Sequence, residues 1–276
     1  MREAKAESNA KIRLIAVDLD GTLLTSEGVL ASEGARLLKA ADHNGIHVVL
    51  ATSRVIHSVR DLCGSLEINS PVICTNGAQV YESINGPVLT SLSFPKEVGL
   101  EIARLADSRV WELSTTIGSV TYYRQRPGQA LGPFSPGRVI VATNSDAVND
   151  NPTRILASDS EAVKGILSLC ESRFSDQCRI ETYHGTDGKI HSVGIFPPKA
   201  NKGNALGSVL RRLKVSQSEV MAIGDDLNDL PMFARSGVSV AMSNAHEQVK
   251  KKATAVAPSN DEEGVAWALT KFGVLS

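Results

Sequence analysis

The sequence predicts an α/β protein: a doubly wound, Rossmann-like core with a parallel sheet, interrupted by an inserted α+β unit. Three observations predict it. Toward the N-terminus, short apolar runs alternate with stretches of helical period, the pattern of a parallel sheet with helices on both faces. The same alternation returns toward the C-terminus. Between about residues 83 and 199 the pattern changes to paired short strands and two helices with their own hydrophobic period.

The elements follow in order. Residues 12–17 are almost all apolar, as in a strand covered on both faces. Residues 31–44 carry apolar positions at helical spacing, and Gly45 stands where a helix C-cap is expected. "IHVVLAT" (46–52) and "PVICT" (71–75) read as buried strands, with a helix over 55–66 between them. Asn76-Gly77 reads as a tight hairpin turn joining 72–75 to 79–82.

The inserted unit starts beyond "SINGPV" and ends at "FPPKAN", both rich in turn residues. It holds "VLTSLSF", a helical "KEVGLEIARLAD", a strand pair in "WELSTTIGSVTYYR", then "TRILASD". A helical "SEAVKGILSLCESRF" and a hairpin in "RIETYHGTDGKIHSVGIF", turning at "GTDG", complete it. The core resumes with a helix over 204–213 and strands at 220–224, 238–242 and 254–257. Helices over 228–235, 245–252 and 261–272 separate or follow these strands. The expected division is 1–82 with 200–276 for the core and 83–199 for the insertion.

Composition narrows the function. The 276 residues are 42% hydrophobic and 21% charged, with a formal net charge of −1. No global field draws such a chain to nucleic acid or to an anionic membrane. No apolar stretch approaches the about 20 residues of a membrane span. The first eleven residues are polar and lack an apolar signal core, so they read as a short disordered tail. Cys63, Cys74, Cys170 and Cys178 include no C-x-x-C pair and read as reduced thiols of a cytoplasmic protein. The six histidines show no ligand spacing, which argues against zinc.

Chemistry concentrates at strand ends. Asp18 and Asp20 follow the first apolar run, and residues i and i+2 of an extended strand point the same way, so both are expected to reach one cleft. The carboxyl ends of strands are where open α/β sheets place ligands. A hard cation with oxygen ligands, such as Mg²⁺, relieves the repulsion of such a pair. A second acidic group, Asp225-Asp226-Leu227-Asn228-Asp229, follows another apolar strand; by itself it reads as an Asx-rich helix cap. Two acidic strand ends on one edge can share one metal. Thr52, Ser53 and Arg54 end a buried strand where a helix begins, and Lys202 beside Gly203 starts another helix; both suit a phosphate group.

Together, D-x-D-G-T at 18–22, Thr52, Lys202 and G-D-x-x-N-D at 224–229 resemble the haloacid dehalogenase superfamily of phosphatases. The order, with "TNGAQVY" (75–81), "AMSNA" (241–245) and "SNDEEGVA" (259–266), is similar to the Cof-type branch, which carries a large α/β cap between its second and third motifs. The resemblance covers about 11–82 and 200–272; in the cap it rests on size and element order. It departs at Ser53, where the branch usually has Gly.

The resemblance implies that Asp18 is the nucleophile and forms an aspartyl-phosphate, and that Asp20 is the general acid and base. It implies Mg²⁺ held by the Asp18 and Asp225 carboxylates and the Asp20 carbonyl, with Asp229 behind them or linked through water. The Leu19 N–H, Thr52, Ser53, Lys202 and Asn228 would hold phosphoryl oxygens, with Arg54 and Asn76 as neighbours. Asn244 and Asn260 read as helix caps first and site neighbours second. The cap would close over the cleft and select the leaving group, with Tyr122, Tyr123, Arg124, Arg126, Tyr183 and His184 as candidates and ordinary strand surface as the plainer reading of each. The leading expectation is a Mg²⁺-dependent phosphatase of small phosphorylated metabolites, monomeric or homodimeric, with no nucleic-acid or membrane partner. A phosphomutase, or a non-catalytic metabolite-binding protein on the same scaffold, is the alternative.

Overall fold

The structure, a computed structural model, describes residues 11–184 and 189–274. The first run of elements is β1 (Leu14–Val17), α1 (Ser32–His43), β2 (His47–Ala51), α2 (Ile56–Cys63), β3 (Val72–Cys74), β4 (Gln79–Tyr81) and β5 (Val88–Ser91). All four residues of β1 are fully buried, as their unbroken apolar character requires. The Asn44 amide bonds back to the carbonyls of Ala40 and Ala41, ending α1, and Gly45 follows at φ +81°.

The insertion contributes α3 (Lys96–Ser108), β6 (Leu113–Ile117), β7 (Val120–Arg124), β8 (Gly132–Ser135), β9 (Arg138–Val141), α4 (Asn144–Ala147), β10 (Arg154–Ala157), α5 (Ser160–Arg173), β11 (Arg179–His184) and β12 (Ile190–Phe196). The chain then adds α6 (Lys202–Leu213), β13 (Val220–Gly224), α7 (Leu230–Phe233), β14 (Val238–Met242), α8 (Glu247–Lys250), β15 (Ala255–Ala257) and α9 (Gly264–Lys271).

These elements form two compact units. The first takes the chain up to Arg54, Ser58–Leu89 and the part from Asn201 onward; the second takes Val55–His57 and Thr90–Ala200. The first sheet runs β15-β14-β13-β1-β2-β3-β4-β5. It is parallel from β15 to β3, and β4 returns antiparallel to β3. Successive strands step one way from β1 to β3 and the other way from β13 to β15. The order therefore reverses between β1 and β13, which pair in parallel with Val17 opposite Ile223. That reversal is the topological switch point of a doubly wound sheet.

The second unit is a seven-stranded sheet ordered β11-β12-β10-β6-β7-β9-β8. Val98 and Ile102 of α3 and Val163 and Ile166 of α5 form one core with Leu113, Ile155, Val193 and Ile195 from its strands. The β8–β9 hairpin is not legible in the sequence. Its strands are four residues each and lie among Gly132, Pro133, Pro136 and Gly137, so neither shows an alternating period. The expected turn at "GTDG" (185–188) and the N-terminal tail lie outside the described residues.

Two local expectations need correction. The two strands joined at Asn76-Gly77 do pair antiparallel, but the turn is wider than expected: Cys74 pairs with Gln79, leaving four residues, and Thr75, Asn76 and Gly77 take φ of 53°, 52° and 85°. The cause is a competing set of bonds, because the Thr75 and Asn76 amides donate to the carbonyls of Arg54 and Thr52 at 2.8 and 3.0 Å. The helices expected over 228–235 and 245–252 shrink to four-residue α7 and α8. The first is preceded by a tight turn over Leu227–Asp229 that the Asp226 side chain caps.

Candidate active site

β1 stops at Val17, and Asp18 is the first residue beyond it. The Asp18 amide donates to the Ile223 carbonyl of β13 at 3.0 Å, so strand pairing itself carries Asp18 to the switch point. Asp18 is only 5% exposed. Asp20, two residues on, has a side chain that is 48% exposed, and both of its oxygens accept from Arg54, Nε reaching Oδ2 at 2.8 Å. The strand does not continue to Asp20, because the chain turns after Asp18. The Thr22 amide bonds back to the Leu19 carbonyl at 3.2 Å, and Gly21 takes φ +73°. A Cβ at Gly21 would lie 2.3 Å from Asp225 Oδ2, so the turn needs glycine for both angle and space.

β13 delivers the second acidic group from the other side of the switch. Thr22 Oγ1 donates to Asp225 Oδ1 at 2.9 Å. Asp229 Oδ2 accepts the amides of Asp225 and Asp226 at 2.9 and 3.1 Å. Lys202, the first residue of α6, is fully buried and places Nζ 2.7 Å from Asp18 Oδ1 and 2.6 Å from Asp229 Oδ1. Oxygens of Asp18, Asp225 and Asp229 lie within 4.8 Å of one another. Asp226 instead caps the following turn through the Leu227 amide at 2.7 Å.

The charges do not balance. Burial would discharge Lys202, but Asp18 and Asp229 outweigh it and hold the ammonium charged. Burial raises Asp18 well above the ordinary carboxylate range; Lys202 opposes this, while Asp229 and Asp225 add to it. Burial, and then Asp229, push Asp225 up to about 7. Three clustered carboxylates, of which Asp18 and Asp229 are buried, stand near one ammonium, an excess that a hard divalent cation with oxygen donors would offset. Asp229 already spends both oxygens on Lys202 and two amides, whereas Asp18 and Asp225 could each still offer a carboxylate oxygen to a cation.

Of the residues expected to hold phosphate, Thr52 follows β2, fully buried, and its Oγ1 accepts the Arg54 amide at 3.1 Å. Ser53 is half-buried and is not among the residues with positive φ, so serine in place of glycine costs no backbone strain there. Leu19 packs its side chain into the core. Asn228 Oδ1 is enclosed without a hydrogen-bond partner among the described residues.

Sequence reasoning undervalued Thr22, Asn244 and Asn260. Asn244 Nδ2 donates to the Gly21 carbonyl at 2.8 Å, and its Oδ1 accepts the Asn260 amide at 3.1 Å. Asn260 Nδ2 donates to the Leu24 carbonyl at 2.8 Å. Their available signal was position: Thr22 follows β1, and Asn244 and Asn260 lie just past β14 and β15, on the same carboxyl edge.

Residues 15–269 match the family model of haloacid dehalogenase-like hydrolases. The chain belongs to that family. It is a Cof-type, phosphatase-family hydrolase. It is 28% identical over 260 residues to the 5-amino-6-(5-phospho-D-ribitylamino)uracil phosphatase YcsE of Bacillus subtilis, covering 94% of each chain. It is 29% identical over 279 residues to the phosphatase YwpJ of the same organism, covering 92% of this chain and 98% of that one. The crystal structure of a haloacid dehalogenase-like hydrolase from Bacteroides thetaiotaomicron shares the fold, with a TM-score of 0.82 at 24% identity over 95% of this chain and 99% of that chain.

In the second unit of this haloacid dehalogenase-like hydrolase, Tyr123 and Arg126 line a cavity of about 600 Å³ with Trp111 and Glu112. Arg126 pairs with Glu112, Nε to Oε2 at 2.9 Å, and Tyr123 meets Phe134 edge to face at 5.9 Å. Arg124 lines an adjoining cavity of about 250 Å³. Tyr122 and Tyr183 are half-buried strand residues, and the side chain of His184 lies outside the described set. No helix among the described residues is long and apolar enough to cross a membrane.

Proposed function

We propose that this hydrolase is a Mg²⁺-dependent phosphatase of small phosphorylated metabolites that works through a phosphorylated Asp18. One observation carries the reading. Two strand ends, more than 200 residues apart in sequence, bring Asp18 and Asp225 within 4.8 Å beside the ammonium of Lys202. A divalent ion on the Asp18 and Asp225 carboxylates and the Asp20 carbonyl would neutralise charge on the phosphoryl oxygens. Asp229 orients this set by fixing Lys202 and the two amides it accepts.

The residues then divide the work. The Leu19 amide, Thr52, Ser53, Lys202 and Asn228 hold the phosphoryl oxygens, and such positioning and charge neutralisation supply most of the rate. Asp18 attacks phosphorus while the bond to the substrate oxygen breaks, and Asp20 protonates that leaving oxygen. Water then attacks the phosphoryl-Asp18, giving its proton to Asp20 and releasing inorganic phosphate and free Asp18. Asp20 must leave its pair with Arg54 to serve as acid, so Arg54 sets where the Asp20 carboxyl rests between turnovers. The inserted unit, with Tyr123 and Arg126 on its cavity, is the source of leaving-group selectivity.

A panel of sugar phosphates and related monoesters, including 5-amino-6-(5-phospho-D-ribitylamino)uracil, tests the reading by phosphate release with and without Mg²⁺. Asp18→Asn is expected to lower turnover by at least about a thousandfold while the variant keeps its fold, as circular dichroism would read. Undiminished activity in the purified variant overturns the nucleophile. A substrate consumed without phosphate release, and only with a bisphosphate activator, marks a phosphomutase instead.

A further inference from the structure

The four-residue turn after β3 is costly in two ways. Thr75, Asn76 and Gly77 all take left-handed angles, and threonine, branched at Cβ, tolerates that poorly. The Asn76 side chain is fully enclosed, yet neither Nδ2 nor Oδ1 has a hydrogen-bond partner among the described residues. Leaving a buried carboxamide unpaired lowers stability, so native folds keep such groups where something else supplies the partner.

The surroundings say what that partner is. The Asn76 amide donates to the Thr52 carbonyl at 3.0 Å, which ties the turn to the end of β2. On the other side, a Cβ at Gly77 would lie 2.2 Å from the Asn201 carbonyl, so the turn abuts the cap of α6 just before Lys202. Asn76 is thus fixed between the neighbourhoods of Thr52 and Lys202. Lys202 gives two of its three N–H bonds to carboxylates, so the third, like the side-chain Nδ2 of Asn76, suits an incoming acceptor.

We propose that Asn76 is a further phosphoryl-binding residue, its Nδ2 donating to an oxygen of the bound phosphate group. The proposal rests on Thr52 and Lys202 holding that group, as set out under the proposed function. A rival explanation needs no ligand: asparagine tolerates left-handed angles, and the turn simply uses that tolerance.

Asn76→Gly separates the two, because glycine keeps the backbone angle at no cost and removes only the carboxamide. Binding of inorganic phosphate in the presence of Mg²⁺ is measured by calorimetry and by the shift in Tm, alongside turnover. The expected result is an Asn76→Gly protein that folds with a Tm at or above wild type, binds phosphate at least tenfold more weakly and loses kcat/KM by a similar factor. Wild-type phosphate affinity in that variant overturns the proposal, as does a wild-type protein that binds no phosphate. Should Asn76→Gly not fold, Asn76→Asp decides: it keeps the size and the angle but exchanges the donor for an anion, and unchanged phosphate binding then overturns the assignment. Phosphate binding that depends on Asn76 in a protein without turnover sinks the hydrolytic reading and leaves this one standing.

Discussion

Gly21 shows how a single position can govern a site through the backbone. Its φ of +73° and the 2.3 Å from a Cβ to Asp225 Oδ2 are independent demands for glycine. Gly21→Ala is therefore expected to cost at least about 1 kcal/mol in denaturant unfolding and to push Asp225 off its bond with Thr22. Calorimetric titration should show weaker Mg²⁺ binding to the variant; unchanged metal affinity would mean that Asp225 is not a ligand. At this scale D-x-D-G-T was legible as a motif, but the different partners of its two carboxylates were not. Asp18 reaches Lys202, and Asp20 reaches Arg54. Sequence spacing assumes a continuing strand, and the turn at Leu19–Thr22 ends it.

At the scale of elements, the loop from Asp18 to Leu24 is held from outside. Asn244 and Asn260, after β14 and β15, bond to the Gly21 and Leu24 carbonyls, and the Ser26 amide donates to Asp261 Oδ1 at 2.8 Å. Residues after the outer strands of the sheet thus hold the loop that carries the nucleophile candidate. Asn260→Ala should leave the Leu24 carbonyl buried without its partner and cost about 1–3 kcal/mol. Equilibrium unfolding reads that loss, and a variant as stable as wild type would show that the clamp is incidental. The strands and long helices were legible because buried parallel strands are short apolar runs and α1, α3, α5 and α6 keep a helical period. The β8–β9 hairpin was not, since short edge strands among prolines and glycines carry no period to read.

For the whole molecule, the unbalanced charge of the acidic cluster couples folding, protons and metal. In the metal-free protein Asp225 sits at about 7 against an ordinary value of 3.8, so the folded state binds that proton more tightly than the unfolded chain. Its contribution therefore favours folding at low pH and is lost as pH rises from about 4 through about 7. A divalent cation competes with the same proton. The increase in Tm on adding Mg²⁺ should accordingly be larger at pH 8 than at pH 5.5. An increase that is equal at both values, or absent, would mean that the cluster does not take the ion.

By itself, the sequence determined the alternation of apolar strands and amphipathic helices, the interruption between the two core halves, and the presence of acidic, hydroxyl and lysine groups at strand ends. These are local properties, set by side-chain period and by the residue types that tolerate turns. Only the tertiary structure decided which groups meet. The reversal of strand order between β1 and β13 puts Asp18 and Asp225 together, the start of α6 aims Lys202 at both Asp18 and Asp229, and the turn after β3 encloses Asn76 beside Thr52. The physical reason is that hydrogen bonds and ion pairs between residues hundreds of positions apart depend on sheet order and register, which no local pattern records.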